Sequence, residues 1–380
     1  GGGSFSSTHV LAETGGGQVA VMDLDGDGDN DIVLGGFNAG GDGVRLQIWT
    51  NDGAAAHFTL NEINSSQVGY LSWVGMDDLD HDGDLDLVAI SSGMLHVFWN
   101  ESNTGFVHQQ VPGSSVNFPA SLLEMNADGH DDIVWATGGA GAATYAILSD
   151  GATGWGATAT LFPFPVDKLL PADLNADGIQ DLCVQSAGAV GYMMGLSTGS
   201  YESTVHQLST TGHQSVLNVV ADLDNNGTPD IVYNDTHYSD RRIHCAFNDG
   251  TATFTQSTDF SGLDHTAFVA QDMTGDGEVD LIWNLYMALE DELGLDRGPM
   301  ATETETDPPS AAITTTLGTT GGFFTADETC DGWTDLMSFD RRFNGTGSTL
   351  VGPDTNYQSL PYTYPLVLVD MNGDGCADRV

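Results

Sequence analysis

The residues best suited to chemistry in this chain are acidic and closely spaced. In residues 23–31, which read DLDGDGDND, oxygen-bearing side chains stand at the first, third, fifth and ninth places and a glycine stands at the sixth. Alternate oxygens in a tight turn converge on one point, and a shell of hard oxygen ligands suits Ca²⁺ better than zinc or copper ions. The stretch is therefore predicted to be a cation loop.

The same pattern recurs seven more times along the chain. The eight copies begin at Asp23, Asp78, Glu124, Asp173, Asp222, Asp272, Asp327 and Asp370, and we number them loops one to eight in that order. Each copy keeps glycine at the sixth place and aspartate at the ninth, and a short β-type apolar run follows. Eight copies at a period near fifty residues indicate a repeat fold in which every loop leads into a strand.

The predicted metal ligands are the side chains at the four oxygen places of each loop. They are Asp23, Asp25, Asp27, Asp31, Asp78, Asp80, Asp82, Asp86, Glu124, Asn126, Asp128, Asp132, Asp173, Asn175, Asp177, Asp181, Asp222, Asp224, Asn226, Asp230, Asp272, Thr274, Asp276, Asp280, Asp327, Thr329, Asp331, Asp335, Asp370, Asn372, Asp374 and Asp378. Up to eight Ca²⁺ ions are expected. Loops one and two, with four aspartates each, should bind most tightly, loops four, five and eight less tightly, and loops three, six and seven least.

The net charge of −46 follows mainly from these loops, because they hold 31 of the 54 acidic residues. Such an acidic field argues against nucleic acid or an anionic membrane as a partner, since both require a basic surface. No apolar run approaches the roughly 18 residues of a membrane span. The composition, with 49 glycines and only 12 prolines, is typical of an all-β protein with many short turns.

The four cysteines allow three pairings, and their spacing matches no zinc site. Cys330 and Cys376 lie inside loops seven and eight, which should be neighbours, so a disulfide can form between them. Cys183 and Cys245 lie in predicted strands and are expected to be buried thiols.

A second pattern in most repeats predicts the remaining strands. Stretches such as LQIWTNDGAAAHFTL and HCAFNDGTATFTQST alternate apolar and polar residues across a turn, which indicates a β-hairpin. One repeat then contains a strand, the acidic loop, a strand and a hairpin. Four antiparallel strands per repeat are typical of the blades of an all-β β-propeller.

These loops and strands resemble the FG-GAP or VCBS-type calcium-loop repeats of integrin α-subunits, bacterial surface adhesins, some lectins and some polysaccharide lyases. The resemblance implies that each loop joins the first two strands of a blade. It also implies that side chains at places one, three, five and nine, with the backbone carbonyl at place seven, hold the ion, and that the protein is secreted or at a cell surface.

We predict a single propeller domain over residues 1–380. Eight blades closed by the N-terminal strand FSSTHVLAE are favoured, with seven blades as the alternative. The eighth repeat lacks a third strand before Val380, so the chain is expected either to be cut short there or to have a three-stranded last blade. An irregular insertion is predicted at about residues 285–321 in the sixth repeat, where ALEDELG could form a short helix.

The sequence supports an adhesion or recognition module that binds glycan or protein. An architectural domain of a larger surface filament, envelope or toxin assembly is the alternative, and a polysaccharide lyase-like enzyme is a less favoured one. We predict no catalytic activity, because Lys168 stands alone and the eleven histidines are scattered. His81 and His130 occupy loop places that should point to solvent.

Six of the seven tryptophans divide into two groups. Trp49, Trp99, Trp135 and Trp283 fall in predicted strands and should pack between blades, whereas Trp155 and Trp333 fall in turns and are candidates for stacking on sugar rings. Partner binding is otherwise expected away from the acidic loops, or at the stretched sixth repeat.

Overall fold

The protein is described by a computed structural model over residues 18–37, 44–51, 58–64, 71–101, 105–111, 114–116, 120–125, 129–138, 141–149, 158–196, 200–209, 214–235, 242–261, 265–271, 279–285, 291–297, 316–317, 323–327, 329–338, 342–345, 350–351, 368–369 and 376–379. The regular structure over these residues is β-strand. None of them belongs to a helix long and apolar enough to cross a membrane.

The chain divides into two compact units, residues 1–165 with 363–380 and residues 166–362. The first unit has three four-stranded antiparallel sheets and one two-stranded sheet among its described residues. Its strands are β1 (Gln18–Met22), β2 (Asp31–Phe37), β3 (Val44–Asn51), β4 (Phe58–Asn64), β5 (Leu71–Asp77), β6 (Asp86–Ser91), β7 (Met94–Asn100), β8 (Phe106–Gln110), β9 (Ser121–Glu124), β10 (Asp131–Ala136), β11 (Thr144–Ile147), β12 (Ala159–Phe162), β31 (Leu368–Val369) and β32 (Asp378–Arg379).

The described part of the second unit has four four-stranded antiparallel sheets and a small two-stranded sheet, β16–β17, inserted in the first of them. The strands are β13 (Lys168–Ala172), β14 (Asp181–Ser186), β15 (Ala189–Met193), β16 (Gly195–Leu196), β17 (Ser200–Tyr201), β18 (His206–Gln207), β19 (Ser215–Ala221), β20 (Asp230–Asp235), β21 (Arg242–Asn248), β22 (Phe254–Ser261), β23 (His265–Gln271), β24 (Asp280–Leu285), β25 (Asp291–Arg297), β26 (Thr316–Leu317), β27 (Phe323–Ala326), β28 (Asp335–Ser338), β29 (Arg342–Gly345) and β30 (Leu350–Val351).

Each four-stranded sheet runs up and down in chain order, as in β1-β2-β3-β4 or β19-β20-β21-β22. In the four-stranded sheets the acidic loop follows the first strand, and the ninth-place aspartate lies at the start of the second strand. Asp31 and Asp86 are the first residues of β2 and β6, and Asp132 is the second residue of β10. The predicted strand, loop, strand and hairpin are therefore confirmed for the first seven repeats, and the described part of the eighth repeat is the two-stranded sheet β31–β32.

The predicted insertion in the sixth repeat contains regular structure. Residues 291–297 form β25, which pairs with β24 from Asp280↔Arg297 to Asn284↔Leu293, and β26 pairs with β25. The predicted helix over ALEDELG is therefore wrong for residues 291–294, because pairing with β24 satisfies the backbone of these residues in a sheet ladder. Residues 286–290 and 298–315 lie outside the described part.

The hydrophobic core lies between neighbouring sheets. In the first unit, Trp99 of β7 and Trp135 of β10 are 1% and 2% exposed and belong to one buried cluster, which confirms that these two tryptophans pack between blades. In the second unit, Leu174, Leu217 and Tyr233 join two adjacent sheets in the same way. The second-place leucine of the loop, such as Leu79, is itself part of this core, so packing fixes where each loop starts.

The described cysteines behave as expected. Cys183 and Cys245 are buried thiols in β14 and β21. Cys330 and Cys376 are both disulfide-bonded. The proposed N-terminal closing strand at residues 5–13 lies outside the described residues, so the blade number stays a prediction.

Candidate metal centre

In loops one to five and seven, the first-place carboxylate closes the loop by accepting a hydrogen bond from the sixth-place glycine. Gly28 N donates to Asp23 Oδ2 at 3.0 Å, and Gly83 N donates to Asp78 Oδ2 at 3.2 Å. The equivalent bonds are Gly129–Glu124, Gly178–Asp173, Gly227–Asp222 and Gly332–Asp327. The glycine is required for its backbone, because φ is 95° at Gly28 and 96° at Gly83, a conformation that L side chains rarely adopt.

This turn brings the predicted ligands together. The carboxylates of Asp23, Asp25 and Asp27 place ligand oxygens within 4.8 Å of one another, and Asp78, Asp80 and Asp82 do the same. In loop five the cluster consists of Asp222, Asp224 and the buried Asp230. Carboxylates this close repel one another unless a cation or protons intervene.

Two oxygen atoms show that the donor set fits a cation. Among the described residues, no group donates a hydrogen bond to the buried Oδ1 of Asp78 or to the buried Oγ1 of Thr329. A buried oxygen without a donor is costly in an apo protein, whereas a hard metal ion satisfies it directly. Thr329 is the third-place residue of loop seven, so even a loop without a full carboxylate set directs an oxygen inward.

The ninth-place aspartate has a structural role that the sequence analysis did not identify. Asp86 is 0% exposed, and its two oxygens accept hydrogen bonds from Leu79 N at 3.1 Å and Asn100 N at 2.8 Å. The same paired contacts hold Asp31, Asp132, Asp181 and Asp230. This carboxylate therefore fastens the loop to the end of the third strand of its own sheet.

Side chains at the end of the third strand also reach the neighbouring loop. Asn100 Nδ2 donates to Leu24 O at 3.3 Å, Ser149 Oγ donates to Leu79 O at 2.5 Å, and Asn248 Nδ2 donates to Leu174 O at 2.7 Å. Successive described loops thus lie side by side within each unit. The asparagine that recurs at the end of the third strand, as Asn100 and Asn248, is the sequence signal for this contact.

Burial of the ninth-place carboxylates raises their pKa values. The pKa is raised to about 6 at Asp31 and at Asp230 and to about 7 at Asp86, mainly because burial disfavours the charged form, while backbone hydrogen bonds partly oppose the rise. Burial also raises the pKa of Asp80, and the neighbouring Asp82 and Asp78 charges add to this effect. A bound divalent cation favours the ionised forms and competes with these protons.

We expect the metal-free protein to be more stable near pH 5.5 than near pH 8. Because these aspartates have higher pKa values folded than unfolded, the folded state binds more protons between about pH 4 and pH 7, and its stability falls as pH rises through this window. Thermal unfolding of the calcium-free protein in KCl, measured at both pH values, shows whether stability falls as the pH rises. With saturating Ca²⁺ the protein should instead be more stable at pH 8 than at pH 5.5. A Tm of the metal-free protein that is higher at pH 8 would contradict raised pKa values at these aspartates.

The structure leaves some predicted ligands undescribed. Loops one, two, four and five are described completely, and loop seven lacks only residue 328. In loops three, six and eight, Asn126, Asp128, Asp272, Thr274, Asp276, Asp370, Asn372 and Asp374 lie outside the described residues. The graded affinity of the eight loops remains a prediction.

Two kinds of comparison bear on this arrangement. Residues 23–88, 173–233 and 222–283 match the family described as FG-GAP-like repeat. Comparison with curated proteins finds no matching relative.

Solved structures with a similar fold include a propeller and a lectin. The Dos1 propeller has 12% identity and a TM-score of 0.56, covering 91% of this chain and 86% of its own. An Agrocybe aegerita lectin that recognises non-reducing terminal N-acetylglucosamine has 18% identity and a TM-score of 0.50, covering 74% of this chain and 77% of its own. At these identities the likeness concerns the fold.

Proposed function

Because the chain is a β-propeller of the FG-GAP type, we propose that it is a calcium-stabilised recognition module that acts outside the cell and binds a glycan without chemically changing it. The observation that carries the calcium part is the set of carboxylate clusters in loops one, two and five, with ligand oxygens within 4.8 Å of one another. Oxygen-only ligands in a flexible loop suit Ca²⁺, which is abundant outside cells.

The redox state of the cysteines supports an extracellular location. Cys330 and Cys376 are disulfide-bonded, and such bonds persist mainly in oxidising compartments. The free Ca²⁺ concentration outside cells is high enough to fill calcium loops even of the low affinity that is typical of extracellular modules. The two properties belong to the same environment.

The partner is argued from charge and from one exposed aromatic side chain. A net charge of −46 repels anionic partners, so a neutral ligand is favoured over nucleic acid or an acidic polysaccharide. Trp333, at the seventh place of loop seven, is 40% exposed, and its backbone N–H is held by Asp331 Oδ1 at 3.0 Å. A large ring fixed at the surface offers a flat apolar face on which the C–H face of a neutral sugar can stack. The lectin with a similar fold recognises a neutral sugar of this kind.

We expect Trp333→Ala to weaken glycan binding about fivefold or more, since losing a stacked aromatic contact removes about 1 kcal/mol or more. The measurement is a glycan array with the calcium-loaded protein, followed by titration of the best ligand against wild type and variant. Leu196→Ala is the matched control, because Leu196 is likewise an apolar residue 40% exposed, in β16.

Equal binding by wild type and Trp333→Ala would remove Trp333 from the site. Absence of binding to any glycan in the presence of Ca²⁺ would contradict the glycan proposal and favour a protein partner or an architectural role. Trp155 lies outside the described residues, so it enters this test only as a second variant.

A further inference from the structure

Two histidines from neighbouring acidic loops meet in the first unit. His81 is the fourth residue of loop two and His130 is the seventh residue of loop three. Their Nδ1 atoms lie 2.5 Å apart, and the rings meet edge to face with centroids 3.8 Å apart and planes at 80°. The expectation that both side chains point to solvent holds for the exposed His81, whereas His130 is half-buried. Two ring nitrogens this close repel each other unless a proton or a cation lies between them.

The same two loop places carry the cross-linked cysteines. Cys330 is the fourth residue of loop seven, and Cys376 is the seventh residue of loop eight; both are disulfide-bonded. The fourth and seventh places of the loop are therefore positions at which this chain also carries disulfide-bonded cysteines. In loops two and three the corresponding side chains are imidazoles, which link through a metal ion instead of a covalent bond.

The loop backbone fixes the direction of the His81 side chain. His81 has φ 57°, and the fourth-place residues Ala176 and Asn225 have φ values of 56° and 53°. Because three different residue types share this left-handed conformation at the fourth place, the loop geometry imposes it. The loop is held in turn by the bond from Gly83 N to Asp78 Oδ2. One nitrogen donor is thus presented at the surface by a backbone of defined shape.

We propose that His81 and His130 form a binding site for a divalent transition-metal ion of the zinc class, which clips loop two to loop three. Neutral imidazole nitrogen is a good ligand for Zn²⁺, Ni²⁺ and Cu²⁺ and a poor one for Ca²⁺, so this site differs in chemistry from the carboxylate loops beside it. Tetrahedral Zn²⁺ with Zn–N bonds of about 2.0–2.1 Å requires the two nitrogens to be about 3.3 Å apart, so the two ring nitrogens must move apart by about 0.8 Å to hold the ion. Water completes the coordination, and the acidic field concentrates cations at the site.

The second histidine pair of the described residues shows what such a site requires. His96 Nδ1 and His108 Nε2 lie 2.9 Å apart, but the rings are stacked at 21° within one sheet and His96 is only 3% exposed. A metal ion has no access to nitrogens arranged in this way. Accessibility and the edge-to-face geometry distinguish the His81–His130 pair.

Calorimetric titration of the full chain with Zn²⁺, at a Ca²⁺ concentration that keeps the carboxylate loops filled, tests the proposal. The variants are His81→Asn and His130→Thr, because Asn225 and Thr228 occupy the same two places in loop five. We expect one Zn²⁺ site in the wild type and a loss of affinity of at least about tenfold in each variant, since losing even an outer-shell partner costs this much. His206→Asn, which alters an exposed histidine paired with Glu202 in the second unit, should leave Zn²⁺ binding unchanged.

Three results would overturn the proposal. They are no Zn²⁺ binding by the wild type, unchanged affinity in His81→Asn or His130→Thr, and an equal loss in His206→Asn. A calcium-dependent Tm equal to that of the wild type verifies that a variant keeps its loops. If a variant fails this check, ring ¹⁵N signals of the wild-type protein decide. The proposed site requires Zn²⁺ to bond directly to a ring nitrogen of both His81 and His130, whereas Zn²⁺ held by carboxylates alone would bond to neither imidazole.

Discussion

Removal of Ca²⁺ is expected to lower the Tm of the protein by more than about 10 °C, since each site filled at 100 times its dissociation constant adds about 2.7 kcal/mol to folding and several sites act together. The physical reason is the carboxylate cluster in each loop. Asp78, Asp80 and Asp82 place oxygens within 4.8 Å of one another, so removing the ion leaves the repulsion between these carboxylates uncompensated. Differential scanning calorimetry before and after chelation, with excess Ca²⁺ restored as a control, measures the effect.

Single-loop variants separate strong from weak sites. Asp80→Ala in loop two removes a carboxylate from an all-aspartate set, whereas Thr329→Ala in loop seven removes a neutral hydroxyl oxygen. In the presence of Ca²⁺, Asp80→Ala should therefore lower the Tm more. No change in Tm on chelation, or a larger loss from Thr329→Ala, would contradict a structural role for the ions graded in this order.

Asp86→Ala is expected to destabilise the protein by about 3 kcal/mol even without metal, because the buried N–H groups of Leu79 and Asn100 lose their acceptors at about 1–3 kcal/mol each. Both hydrogen bonds run from backbone N–H groups to the Asp86 carboxylate, at 3.1 and 2.8 Å, and neither involves a metal ion as a partner. Removing a buried carboxylate offsets part of this loss, because the charged form is costly to bury. Denaturant unfolding with and without Ca²⁺ measures the two contributions separately.

Asp82→Asn is the matched control for this prediction. Asp82 is an exposed fifth-place residue of the same loop, and its Oδ1 accepts a hydrogen bond from the N–H of its near neighbour Asp84 at 2.9 Å. Asp82→Asn should change the free energy of unfolding by less than about 0.5 kcal/mol without metal. A larger loss of stability is expected only when Ca²⁺ is present. If Asp86→Ala and Asp82→Asn behave alike in the metal-free protein, the ninth-place aspartate has no separate structural role.

The repeated loop was enough to predict the fold. A glycine at the sixth place, an aspartate at the ninth and a β-type run after it recur in register, and the first seven copies proved to be the connections between the first two strands of four-stranded sheets. Strand periodicity and turn chemistry are local properties, so they can be identified one repeat at a time. The same locality explains the error at residues 291–294, where helix-forming residues are held as a strand by pairing with β24.

The candidate site was predicted less completely. Spacing alone identified the converging oxygens of loops one, two and five, because the residues of one turn are close whatever surrounds them. It did not identify that Asp86 also accepts the N–H of Asn100, fourteen residues away, or that Asn100 donates to Leu24 O in the loop of another sheet. These partners come from other strands, and no pattern within one loop specifies them.

The sequence by itself determined the all-β repeat, the position of each loop and the oxygen-rich chemistry of its centre, since all three depend on residues within nine places of one another. Only the tertiary structure decided which residues from different repeats come into contact. It buried the ninth-place aspartates and thereby raised the pKa of Asp86 to about 7, and it brought His81 beside His130 across forty-nine residues. Burial and contact between repeats depend on how neighbouring sheets pack, and that packing is a property of the whole core.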